Sequence, residues 1–220
     1  MCKQADFPTL KELRCVCKLF NELASRELFH QIFVTLLPNS LYKIRQLRLH
    51  PVLCNYVREI LYITGRLNPR YKVYPNWVES ALHVSTGDVA QSFVSKWRRF
   101  KYLCEKQENM IEERAVYRVF LDCLRRLPNL ESIRLIHSPE SCCECRPGRV
   151  PILSELQSAT LLSPATALHQ NHRVTEISSP HLTLFRALGH SGKQLKYFQL
   201  EGMPQQLWRE NFSNLDNRPF

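Results

Sequence analysis

Glycine is scarce in this chain, with 6 in 220 residues against 13 prolines. Loops that cradle phosphate need glycine where the backbone must come close to the anion. The chain has no Walker-type glycine loop, no G-x-G-x-x-G, no G-x-S-x-G and no H-E-x-x-H. The eight histidines show no acid at a telling spacing, so catalysis has little support. His30, alone in an apolar segment, reads as a packed side chain. No apolar run approaches the roughly 20 residues of a membrane span, and "MCKQADFPTLKELR" has no apolar core of a signal peptide. Nine cysteines, an odd number, are scattered from Cys2 to Cys145. Most fall on apolar helix faces, and that pattern suits buried reduced thiols in an intracellular protein, not a disulfide framework.

What is present suits a folded protein: 44% hydrophobic and 23% charged residues. The net charge is +10, and residues 1–100 hold 15 Lys and Arg against 7 Asp and Glu. In residues 101–220 the balance is 15 against 13. A basic half could face nucleic acid, an acidic surface or an acidic protein.

Hydrophobic spacing predicts the elements. Thr9 to Glu12 has the form of a capping box. Leu10, Leu13, Val16, Cys17, Phe20, Leu23 and Ala24 then recur as one helical face. Ser25 is read as the cap of a second short helix, and "IFVTLLP" as a strand. Ser40 opens a helix that His50-Pro51 stops. A strand follows at 57–63. Residues 64–87 read as a loop with at most one helical turn. Asp88 caps a long helix with Val89, Phe93, Trp97, Phe100 and Cys104 inward, and a further helix spans roughly 110–126. A strand is expected at 131–136, a helix at 180–190 and a strand in "LKYFQLEGMP". Residues 138–180, rich in Ser, Pro, Thr and Cys, read as a long surface insertion with one short helix, poorly ordered in part.

Three strand segments are alike: Val57 to Ile60, Leu130 to Leu135, and Leu195 to Leu200. The last two share L-x-x-[IF]-x-L. Each follows a helix, as in a solenoid whose units bury their apolar faces against neighbours. Ile60, Ile133, Leu135, Phe198 and Leu200 are therefore expected on parallel strands of one sheet.

These stretches also resemble a known family. "PTLKELRCVCKLFNELASRELFHQIFV" resembles the second and third helices of an F-box. "LRLHPVLCNYVREILYI" resembles the segment that follows it in fungal F-box proteins, and "LRRLPNLESIRL" and "SGKQLKYFQLEGMP" resemble their leucine-rich body. The likeness covers about two thirds of the chain, leaving out 64–87 and 138–180. It implies an α/β, helix-rich fold, with an F-box-like helical piece over 1–36 and an irregular leucine-rich-repeat-like helix/strand array over 37–220. It implies no enzyme and no cofactor. An F-box docks a Skp-type adaptor that joins a cullin scaffold, and the body recruits a protein substrate to the SCF-type ubiquitin ligase. Leu10, Leu13, Val16, Phe20 and Leu23 would be the docking residues, under-buried until a partner covers them. The family's first helix, with its Leu-Pro, is not in this chain, so truncation or decay and impaired docking are expected.

Other readings compete. Cys142 and Cys145 with His169 and His172 are a weak zinc candidate, since no clean C-x-x-C pair exists. "SKWRRFKY" interleaves Arg98, Arg99 and Lys101 with aromatics, the ingredients of a nucleic-acid-associated module. On a helix, however, Trp97 and Phe100 fall on the buried stripe. An inactive fragment is the third alternative.

Overall fold

The computed structural model describes residues 6–82, 90–136, 151–169 and 180–201. Two helices come first, α1 (Phe7–Leu13) and α2 (Lys18–His30), then strand β1 (Gln31–Thr35) and helix α3 (Pro38–Leu49). Strands β2 (Glu59–Ile63) and β3 (Arg66–Leu67) precede helices α4 (Tyr74–Leu82), α5 (Ala90–Glu112) and α6 (Ala115–Arg126). Strand β4 (Ser132–Ile136), helices α7 (Pro151–Thr160) and α8 (Pro164–Ala167), and strand β5 (Leu168–His169) come next. Helix α9 (Pro180–Ser191) and strand β6 (Tyr197–Glu201) complete the series.

Four strands form a parallel sheet in the order β1-β2-β4-β6, which is their order along the chain. Parallel neighbours need crossovers, and helices supply them. The register sets Ile32, Ile60, Ile133 and Phe198 side by side, and next to them Val34, Tyr62, Leu135 and Leu200. The expectation of parallel strands in one sheet is thus met at all five named residues.

Side chains alternate across a strand, and the sheet has two apolar layers. Ile60, Tyr62, Ile133 and Leu135 pack with α3, α6 and α9 through Ile44, Phe120, Leu124 and Leu184. Tyr62 and Phe120 meet edge to face, with ring centroids 4.7 Å apart. On the opposite face Leu61, Ile63 and Ile136 pack with Trp77, Phe100, Leu153 and Leu156 from α4, α5 and α7. Because both of its faces are covered, β2 is a continuous apolar run from Ile60 to Ile63, as central parallel strands are.

Beside α5, that second layer comes from the two stretches read as loop and insertion. Residues 64–87 contain α4, a nine-residue helix whose Trp77 is fully buried. Residues 138–180 contain α7, α8 and β5, and Ile152, Leu153, Leu156 and Leu162 are core residues rather than surface ones. In both stretches prolines sit at helix starts, beside polar caps: Asn68 accepts from the Arg70 amide before Pro69, and Ser163 accepts from the Thr166 amide before Pro164. Buried Gln107 joins the layers. Its side-chain amide donates to the Leu36 carbonyl at 2.9 Å and accepts from the Leu67 amide at 2.8 Å.

Several local boundaries differ from expectation. Asp6, not Thr9, caps α1, accepting from the Thr9 amide at 3.0 Å. The Thr9 side chain first, and its amide second, hold the Asp6 carboxyl below its usual range. Ser25 lies inside α2, buried, with its hydroxyl on Asn21 Oδ1 at 3.2 Å. Ser40 sits in the first turn of α3, where its hydroxyl accepts from the Thr35 amide at 2.9 Å. Helix α5 ends at Glu112, and Arg114, in the left-handed region at φ 54°, separates it from α6. His50 does end α3. The cap expected at Asp88, with Val89, lies outside the described residues.

Candidate docking surfaces

The stripe expected on one helix is split between two. Helix α1 ends at Leu13, and a turn through Arg14, Cys15 and Val16 leads to an extended Cys17 that starts α2. Cysteine and β-branched valine are weak helix formers, and three of them in a row let the chain break there. Leu10 is buried at 7% exposure, and Leu13 is half-buried. Val16 at 64%, Phe20 at 38% and Leu23 at 39% are exposed. Leu19, absent from the expected set, is as exposed as Val16. Once α2 begins afresh at Lys18, Leu19, Phe20 and Leu23 share one outer face, so the signal for Leu19 was the break itself.

Helix α2 rests on the array at few points. Ala24 and Ser25 are its buried residues. Arg14 lies over the Phe29 ring at 5.4 Å, and Arg26 lies over Tyr56 at 5.8 Å while pairing with Glu22 at 2.9 Å. His30 is exposed, not packed; its carbonyl accepts from the Arg58 amide.

On α5 the basic and aromatic residues divide as a helix dictates. Phe100 is fully buried, and Trp97 is half-buried with its indole N–H on the Lys72 carbonyl at 3.1 Å. Arg98, Arg99 and Lys101 are exposed. Tyr102, 46% exposed, has Arg99 at 5.3 Å and Lys106 at 5.7 Å from its ring centre. Lys101 lies 5.9 Å from the Trp97 ring, and Lys96 reaches the Ser158 carbonyl on α7.

A third surface was not foreseen. Arg134 on β4 bonds Glu59 on β2 at 2.7 Å and Glu201 on β6 at 3.1 Å. Gln31 on β1 donates to the other Glu59 oxygen at 2.7 Å, and Gln199 donates to Glu201 at 3.2 Å. The row crosses all four strands, and its charged side chains are only 16–20% exposed. Each residue alone is an unremarkable polar position on a strand. Only the register brings them together.

Of the zinc candidates, Cys142, Cys145 and His172 lie outside the described residues. His169 lies in β5, with its backbone paired to Arg66. Among the described residues no three His, Cys, Asp or Glu gather as a metal would require. Cys104 and Cys123 are buried, and burial pushes both thiols up to about 12. No described helix is long and apolar enough to cross a membrane. No protein-family model, curated protein or solved structure matches this chain.

Proposed function

We propose that this chain is a non-enzymatic interaction protein, an F-box-like subunit that docks a Skp-type adaptor through α2 and recruits a protein substrate to a cullin-based ubiquitin ligase. The observation that carries this reading is the exposed row of Val16, Leu19, Phe20 and Leu23. Leu19, Phe20 and Leu23 at neighbouring helical positions, with Val16 in the turn before them and Lys18, Glu22 and Arg26 around them, suit helix-face recognition. The array behind them, with its leucine-rich-like strand segments, is the support that would present a substrate.

The test is a pull-down with purified Skp-type adaptor, using this chain and the double variant Phe20→Ala, Leu23→Ala. Each large apolar side chain buried on docking contributes roughly 1.5–3 kcal/mol. The double variant should therefore bind about a hundredfold or more weakly. An adaptor that binds neither chain at tens of micromolar, or binds both equally, counts against the reading.

One observation favours a second reading, binding of single-stranded nucleic acid along α5. Tyr102 is flanked by two cations, with Arg98 and Lys101 beside it. That reading predicts binding that falls steeply with salt and is lost on changing Arg98, Arg99 and Lys101 to Ala. Glu105 and Glu108 on the same helix weaken it, and Glu108 holds Lys72 at 2.6 Å.

A further inference from the structure

The charge balance of the chain's second half conceals an uneven surface. Of the helices that cover Ile60 and Tyr62, α6 lies between α3 and α9 and packs on both. Two arginines come from α3, three from α6 and one from α9, against one carboxylate, Asp122. Asp122 is neutralised from within: Arg48, its side chain only 10% exposed, holds it at 3.3 Å. Arg45, Arg118, Arg125 and Arg186, with Arg114 just before α6, are exposed. The three helices offer these five no second carboxylate.

The five share one outward face. Arg114, Arg118 and Arg125 recur at four and seven residues, opposite the buried Val116, Phe120 and Cys123. Arg45 stands on the α6 side of α3, close enough for the Cys123 thiol to feel its charge. Arg186 lies one turn before His190, whose carbonyl accepts from Arg125 at 3.1 Å. Arg118 donates to the Glu113 carbonyl at 2.9 Å. These main-chain bonds fix two guanidinium forks and leave most of their five N–H donors free. Stability does not call for such a face. Arg114 and Arg118 repel across one turn, and Arg114, at the N-cap of α6, opposes the helix dipole.

We infer that this face binds double-stranded DNA through its phosphate backbone, without regard to base sequence. Arginine forks match phosphate oxygens. The α6 stripe is about 16 Å long at about 1.5 Å per residue, and three helices packed roughly 8–10 Å apart make the face about 20 Å wide. That spans a groove of B-DNA, roughly 6–12 Å wide, and the strands beside it. A single strand is a poorer occupant, because α6 and α9 expose no Phe, Tyr or Trp ring for bases to stack on. An acidic protein segment is poorer too. Protein partners need buried anchors, and α6 exposes only charged side chains. A dense polyanion needs none, since released counterions supply the affinity. The face lies across the sheet from α5, so the inference is separate from the single-strand reading and from the adaptor reading on α2.

The experiment titrates the purified chain into a fluorescent DNA duplex of about 20 base pairs, two helical turns, between about 50 and 200 mM salt. Five phosphate contacts predict a slope of log affinity on log salt of about −4 to −5. Changing Arg118, Arg125 and Arg186 together to Ala should lower that slope by about 3 and weaken low-salt binding at least about tenfold. The circular-dichroism melt should hold, since alanine is the best helix former. Changing the same three to Lys keeps the charge and should keep binding within about threefold. The α5 variant with Arg98, Arg99 and Lys101 changed to Ala should bind the duplex like the parent. A duplex left unbound at tens of micromolar, a slope near zero, or equal binding by the triple Ala variant overturns the inference. So does loss in the α5 variant, tighter binding to a single strand of equal length, or full competition by polyglutamate at equal charge.

Discussion

In β2, Ile60, Leu61, Tyr62 and Ile63 are all fully enclosed; in α2, thirteen residues long, only Ala24 and Ser25 are buried. Both segments are rich in large apolar side chains, so composition does not separate them. Position does. β2 has a strand on each side and a helical layer on each face. α2 meets α1, β1 and the turn at Leu53–Asn55, and Leu19, Phe20 and Leu23 on its outer face stay exposed. The array does not need that outer face to hold itself together. What α2 leaves uncovered is therefore surplus to stability and available to a partner.

The contrast breaks first, and hardest, in the core. Phe120→Ala removes a fully buried ring that packs edge to face on Tyr62. Such truncations cost about 3–5 kcal/mol, and urea denaturation should show a loss of that size. A loss near zero would mean that the layer over Ile60 and Tyr62 is not the one described.

Next in size is Gln107→Leu. The variant keeps bulk but strands the Leu36 carbonyl and the Leu67 amide, both now served by the side-chain amide. An unsatisfied buried group costs about 1–3 kcal/mol; for two groups, less what the buried leucine returns, a total of about 2–4 kcal/mol is expected. Hydrogen exchange at Leu67 should quicken with it. Unchanged exchange would mean that water replaces the amide without loss.

Cysteines compare the same two regions without any mutation. Cys15 and Cys17 are exposed beside α2, while Cys104 and Cys123 are buried in the layers on opposite faces of the sheet. Brief alkylation at pH 8, mapped by mass spectrometry, should label the first pair and leave the second until the chain unfolds. The buried thiols have raised pKa values, so folding favours their neutral form. Their contribution to stability is complete below the ordinary thiol value of 9.0 and is lost as pH climbs toward about 12. The urea midpoint should thus fall through that window. A midpoint flat across it would mean that both thiols ionise in place.

The sequence carried the sheet, the helices α3, α6 and α9 over one face and α5 over the other, but not the rest of that second layer. The strand segments around Ile60, Ile133 and Phe198 were legible because each repeats a local apolar spacing, and sequential parallel pairing follows from helices between them. Trp77, Leu153 and Leu156 were not legible as core. They lie in stretches dense in Pro and Ser, and such residues mark a helix start as readily as a loop. The Glu59–Arg134–Glu201 row was invisible for a different reason: its members lie 75 and 67 residues apart, and nothing local marks their meeting. On α2 the exposed set was legible in part. Phe20, Leu23 and Val16 followed from the stripe, but continuing one helix through Cys15 to Cys17 misplaced Leu10 and hid Leu19.

The smallest expected effect on stability sharpens the comparison most. Leu19→Gln exchanges one good helix former for another at a side chain 64% exposed. Surface changes away from caps and networks stay within about 0.5 kcal/mol, so the urea midpoint should barely move. A Leu to Gln exchange in β2 could not behave so, because Leu61 is fully enclosed and would bury an unpaired amide. If α2 is a docking surface, the same silent variant should still weaken adaptor binding, by about tenfold for one anchor's loss of roughly 1.4 kcal/mol. Binding unchanged with stability unchanged would make Leu19 an idle surface residue. Stability that falls by several kcal/mol would make it part of the core and would erase the difference between α2 and β2.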